Sequence, residues 1–89
     1  MFRVVWRQVA LDELASIWVH VDATLRQAIS AATHTVDQRL ASDPLNEGES
    51  RAGARRITFV SPLAIQFEVN APSRIVRVFH VRLFRRRQR

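Results

Sequence analysis

Between Gln8 and Leu40 the chain contains neither glycine nor proline, and beyond Gly53 its apolar spacing changes from helical to alternating. This change of period restricts the fold more than any single motif does. Ala10, Leu14, Ile17, Trp18 and Val21 recur at the spacing of one helical face. Leu25, Ala28, Ile29, Ala32, Val36 and Leu40 repeat the pattern in a different phase. A single helix through both sets would be about 50 Å long at 1.5 Å per residue, too long for a compact domain of this size. The phase break therefore predicts two helices, over 8–20 and 23–41, with Asp22 as the N-cap of the second. Asp12 and Glu13 are expected in the first turn of the first helix, where the helix dipole favours acids.

The flanking segments read as strands. Phe2-Arg3-Val4-Val5-Trp6 is β-branched and aromatic, with Phe2, Val4 and Trp6 on one face. Ser42 to Gly53 holds Pro44 and both glycines and reads as a loop. After it, Ile57 and Phe59 alternate with polar residues, and Leu63, Ile65, Phe67 and Val69 alternate with Ala64, Gln66 and Glu68. A three-residue turn would pair Phe59 with Leu63 and Ile57 with Ile65 and keep a single apolar face, and this is the expected register. Asn70-Ala71-Pro72-Ser73 is a further turn. Ile75 to Val81 is apolar on both faces except at Arg77 and His80, as an inner strand would be. The expectation is an α+β, two-layer domain in the order β-α-α-β-β-β. A helical hairpin packs on one face of a mostly antiparallel four-stranded sheet, and the other face is left open.

Length allows one domain, 1–89, with one modest core. Cysteine is absent, which excludes disulfides, thiolate metal sites and cysteine nucleophiles. No apolar run reaches the roughly 18–20 residues of a membrane span, and no leader pattern opens the chain, so the cytoplasm is the expected compartment. His20 and His34 are too far apart for one helix face, and no acidic or histidine cluster has ligand spacing. Neither a metal nor a cofactor is expected.

Charge carries more information. All 14 basic residues are arginine and the net charge is +6. Residues 1–50 hold four arginines against seven acids, whereas residues 51–89 hold ten arginines against one acid, Glu68. The second half is thus a field of permanently charged, forked donors suited to phosphate and carboxylate. Such asymmetry points to a polyanion or an acidic partner.

The residues, taken in order, resemble the RelE/ParE toxin superfamily of bacterial type II toxin–antitoxin (plasmid stabilisation) systems. The resemblance rests on FRVVW at the start, ALDELASIW in the first helix, LASDP closing the second, and then GARRI, SPLAIQFEV and IVRVFHVR. It covers nearly the whole chain. RelE-like members are ribonucleases that cut messenger RNA, usually on the ribosome; ParE-like members include poisons of DNA gyrase. RelE-like enzymes usually carry an arginine three residues before the aromatic of the middle strand, where this chain has Ala64 before Phe67. They also often carry a C-terminal tyrosine, and this chain has no tyrosine. Pro62 and the His80-x-Arg82 pattern are similar to ParE-like members. The resemblance implies a growth-inhibiting ParE-like toxin, neutralised by a cognate antitoxin segment laid across its groove and acting on gyrase without chemistry of its own. The alternatives are a RelE-like, metal-independent mRNA endoribonuclease and a non-toxic binding module of the same fold.

Candidate residues follow from these readings. A ribonuclease would need a base and an acid, and the C-terminal half offers His80 and Glu68. The bland reading makes His80 a hydrogen-bonded strand-end residue and Glu68 an ion-pair partner of Arg55, Arg74 or Arg77. Target or antitoxin contact is expected from Arg55, Arg56, Arg77, Arg82, Phe84, Arg85, Arg86 and Arg87. Trp6, Trp18, Phe59, Phe67 and Phe79 are expected in the core.

Overall fold

The fold is seen in a computed structural model that describes residues 1–84. Strand β1 (Arg3–Trp6) leads into helix α1 (Gln8–Val19) and helix α2 (Ala23–Ser42). A short 3-10 turn (Pro44–Asn46) and strand β2 (Glu49–Ser50) follow, then β3 (Arg55–Val60), β4 (Leu63–Asn70) and β5 (Ile75–Leu83). The sheet has five strands in the order β1-β5-β4-β3-β2, with β1 parallel to β5 and every other pair antiparallel. The expected four strands are present; β2 is an addition that pairs with β3 from inside the supposed loop.

The break between the helices lies where the phase changes. The Leu25 N–H donates to the Asp22 side chain at 2.8 Å, so Asp22 caps α2. Ala10, Ile29, Ala32, Val36 and Leu40 bury completely or almost so against Leu63, Ile65, Phe67, Val76, Val78 and Val81 of the sheet. Each large side chain so buried contributes about 1.5–3 kcal/mol. Trp6 is half-buried, and its indole N–H donates to Asp37 on α2 at 2.7 Å, tying β1 to the hairpin.

Three expectations need correction. First, α1 begins at Gln8, so its first turn holds no acid; Asp12 and Glu13 lie in the second turn. Second, the β3–β4 register is that of the two-residue turn: Val60 pairs with Leu63, Thr58 with Ile65, and Phe59 with Ala64. The expected register assumed a polar residue could not face the core. Thr58 does so at 4 % exposure because its hydroxyl donates to the Glu47 carboxylate at 2.6 Å. Third, Phe59 and Trp18 are not core. In this register Phe59 turns to the open face at 46 % exposure, and Trp18 is 38 % exposed under the Arg26 guanidinium. Phe67 is fully buried, as expected.

Arg56 explains how β2 forms. Its guanidinium donates to the Glu47 and Gly48 carbonyls and the Ser50 hydroxyl, at 3.0, 3.2 and 2.9 Å. Gly48 has φ +68°, and a Cβ there would collide with the Ile57 carbonyl, so only glycine lets β2 approach β3.

Candidate functional site

The register sorts the sheet into two faces. On β4, Leu63, Ile65, Phe67 and Val69 face the helices, which leaves Ala64, Gln66, Glu68 and Asn70 on the open side. Their partners put Arg55, Ile57 and Phe59 of β3 on that side, with Arg77, His80 and Arg82 of β5.

A β-bulge reshapes the centre. Gln66 pairs with His80 but Phe67 pairs with Val78, so Phe79 has no partner across the ladder. Two arginines converge on its ring from opposite sides in the strand order. The Arg7 guanidinium, from the end of β1, lies 5.3 Å from the ring centroid, and that of Arg55, from β3, lies 4.6 Å away. Cation–π contacts of this kind contribute about 0.5–1 kcal/mol each at exposed sites. The side chains of Arg7, Arg55 and Arg77 form no hydrogen bond or ion pair with the described residues. The fork-shaped donors of Arg7 and Arg55 are held in place by the Phe79 ring, and all three are left open to a ligand. Phe79, expected in the core, is a half-buried platform of the open face. On the same side, Phe59 and Phe84 pack with centroids 5.0 Å apart and tilted by 53°, both exposed.

The margin of this face is fixed by α1. The backbone N–H of Val81 donates to Glu13 Oε1 at 2.9 Å, and Arg82 Nη1 donates to Oε2 at 3.0 Å. His80 Nδ1 lies 3.3 Å from both carboxylate oxygens. β1 accompanies β5 only as far as Val78, so Glu13 takes over where the strand edge would otherwise be bare. Burial works to raise the Glu13 pKa. The Val81 and His80 hydrogen bonds and the charges of His80 and Arg82 outweigh it and hold the carboxyl below its usual range.

The expected site residues divide accordingly. Arg55, Arg77, His80, Arg82, Phe84 and Glu68 lie together on the open side or its margin. Glu68 stands opposite both Arg55 and Arg77 in register, yet no ion pair within 4 Å joins it to a described residue. Arg56 is turned away into the 47–50 segment. Arg85, Arg86 and Arg87 lie outside the described residues. No group of three or more histidines and acids converges as metal ligands do among the described residues. Nor is any helix there long and apolar enough to cross a membrane. Sequence reasoning missed Arg7, Phe79 and Glu13 as parts of this face. Arg7 had one local signal, its place directly after a strand; the partners of Glu13 are 67 to 69 residues away.

A helical hairpin on one side of this strand order defines a fold class, that of the RelE/ParE toxins. The ParDE toxin–antitoxin system of Pseudomonas aeruginosa superposes with a TM-score of 0.74 at 15 % identity, over 96 % of this chain and 98 % of that one. The toxin–antitoxin complex RelBE2 of Mycobacterium tuberculosis gives 0.70 at 12 % identity, over 92 % and 90 %. The isolated RelE toxin of Escherichia coli gives 0.65 at 16 % identity, over 99 % and 89 %. No protein-family model and no curated protein sequence matches the chain.

Proposed function

We propose that this protein is the toxin of a type II toxin–antitoxin pair and that it acts in the cytoplasm in the ParE manner. A cognate antitoxin holds it inactive; once free, it inhibits DNA gyrase by contact through the open sheet face and performs no chemistry. The observation that carries this reading is the open face itself. Arg7 and Arg55 present uncommitted forked donors around Phe79, with Arg77 and the exposed Phe59–Phe84 pair on the same side. Such a mixture suits a protein surface that offers carboxylates and apolar anchors together. Two features support the ParE manner over cleavage. The chain lacks tyrosine, and Ala64 stands where RelE-like enzymes usually carry arginine.

A ribonuclease reading has one observation in its favour: His80 and Glu68 share the open side with Arg55, Arg77 and Arg82. Inducible expression without antitoxin separates the two. The expected result is growth arrest with loss of DNA supercoiling and intact messenger RNA. Arrest with codon-positioned RNA cuts that disappear in His80→Ala would transfer the protein to the RelE manner. Abundant soluble expression without arrest would leave a binding module of the same fold.

A further inference from the structure

Glu13 occupies a position from which it governs a neighbour. An ionised carboxylate accepts hydrogen bonds and cannot donate. Val81 N–H and Arg82 Nη1 each donate to one of its oxygens, at 2.9 and 3.0 Å, and fix its orientation against the edge of β5. Both oxygens then face His80 Nδ1 at 3.3 Å. The carboxyl is held below its ordinary pKa range by these same contacts once burial is overcome, so it is ionised wherever imidazole is neutral. Under those conditions the only favourable partner for it is Nδ1–H. His80 Nε2 makes no hydrogen bond to a described residue, and the ring is about one-third exposed.

We infer that Glu13 is a positioning residue that holds neutral His80 as its Nδ1–H tautomer and so presents the Nε2 lone pair as an uncharged hydrogen-bond acceptor beside the arginine donors of the open side. The arrangement parallels the way a carboxylate orients an imidazole through one nitrogen to define the role of the other. The consequence for binding is specific. Arginines on the open side take anionic groups, whereas His80 Nε2 takes a hydroxyl or N–H donor from the partner. The partner is thus read by an uncharged acceptor set beside donors, a requirement that net charge alone does not impose. This consequence rests on the toxin reading; the tautomer does not.

The three histidines supply their own controls. His20 Nδ1 lies 2.8 Å from the Ser16 carbonyl, which can only accept, so His20 is also expected as Nδ1–H. His34 has no side-chain hydrogen bond to a described residue and reports the unconstrained mixture. Long-range proton–nitrogen correlation spectra of the labelled protein at about pH 8.5, where imidazole is neutral, distinguish the ring nitrogens. The expected pattern is a protonated Nδ1 and a bare Nε2 in His80 and His20, against a mixture in His34. A His80 spectrum like that of His34, or one with Nε2 protonated, overturns the inference on the unaltered protein, whether or not any variant folds. In Glu13→Ala, His80 is expected to move to the His34 pattern while His20 stays unchanged. Glu13→Gln, with one accepting oxygen in place of two, is expected to move it part of the way.

The functional half is read in gyrase inhibition. Glu13→Gln and His80→Ala are each expected to weaken it several-fold, and the double variant no more than His80→Ala alone. Additive losses would show that Glu13 does not act through His80. A protein that leaves gyrase untouched would overturn the toxin reading in its ParE form, while the tautomer is still decided by the spectra.

Discussion

The Glu13 carboxylate on α1 accepts the backbone N–H of Val81 on β5 at 2.9 Å, joining two residues 68 positions apart. It closes the strand edge beyond the reach of β1 and links the helical hairpin to the margin of the open face. Because its carboxyl titrates lower in the folded chain than in the unfolded one, the unfolded state binds more protons across that interval. The stabilisation is present above the unfolded value, about pH 4.3–4.5, and is lost as pH falls through the folded value. Urea midpoints measured from pH 7 down to pH 3 are expected to fall through this window. In Glu13→Gln the fall is expected to be shallower. An identical slope in the two proteins would remove Glu13 from the account.

Thr58 is the one buried polar residue facing the core among the described residues, and the Glu47 carboxylate satisfies its hydroxyl. Glu47 also lies 3.7 Å from Arg39 of α2. Thr58→Val removes the hydroxyl and leaves a part-buried carboxylate short of one donor. The expected cost is about 1–3 kcal/mol, read from denaturant midpoints. Glu47→Gln, which still accepts from Thr58, is expected to cost less.

Gly48→Ala tests how β2 is held. The substitution places a Cβ on the Ile57 carbonyl at a backbone angle that alanine rarely adopts. A loss of roughly 1–3 kcal/mol is expected. Gly53→Ala has the same sign of φ but no atom within 4 Å of the added carbon, and is expected to cost only about 1 kcal/mol. Equal losses at the two positions would refute the steric argument.

The open-face arginines are expected to act through binding with little effect on stability. Arg7→Ala and Arg55→Ala should each weaken binding to the target or antitoxin about five- to tenfold, roughly 1–1.4 kcal/mol, while leaving thermal midpoints within a few degrees. The losses should shrink as salt rises, because exposed charges are screened beyond about 10 Å at 0.1 M. Phe79→Leu keeps the apolar volume but removes the ring that both guanidiniums share. It is expected to reproduce part of the loss, and unchanged affinity would show that stacking does not orient the two arginines.

What was legible in the sequence follows from how local each signal is. The phase break at Asp22 is written in neighbouring residues, and so is the period of two along β4; both elements lie where expected. The β3–β4 register was not legible, because it depends on whether a buried hydroxyl finds a partner. That partner, Glu47, comes from a segment that read as loop. Phe59 and Phe79 failed as core residues for a related reason. Alternation shows which residues share a face, but the turn and the bulge decide which face that is.

The sequence by itself determined the element order, the helical hairpin, the central apolar strand and a second half dominated by arginine, since each depends on spacing within a few residues or on composition. The tertiary structure alone decided which arginines are committed and which are open. Arg56 is taken up by the 47–50 segment and Arg82 by Glu13, while Arg7 and Arg55 meet on Phe79 from positions far apart in the chain. A guanidinium has the same charge in all four places. What differs is the distance to an acceptor, and only the folded chain sets that distance.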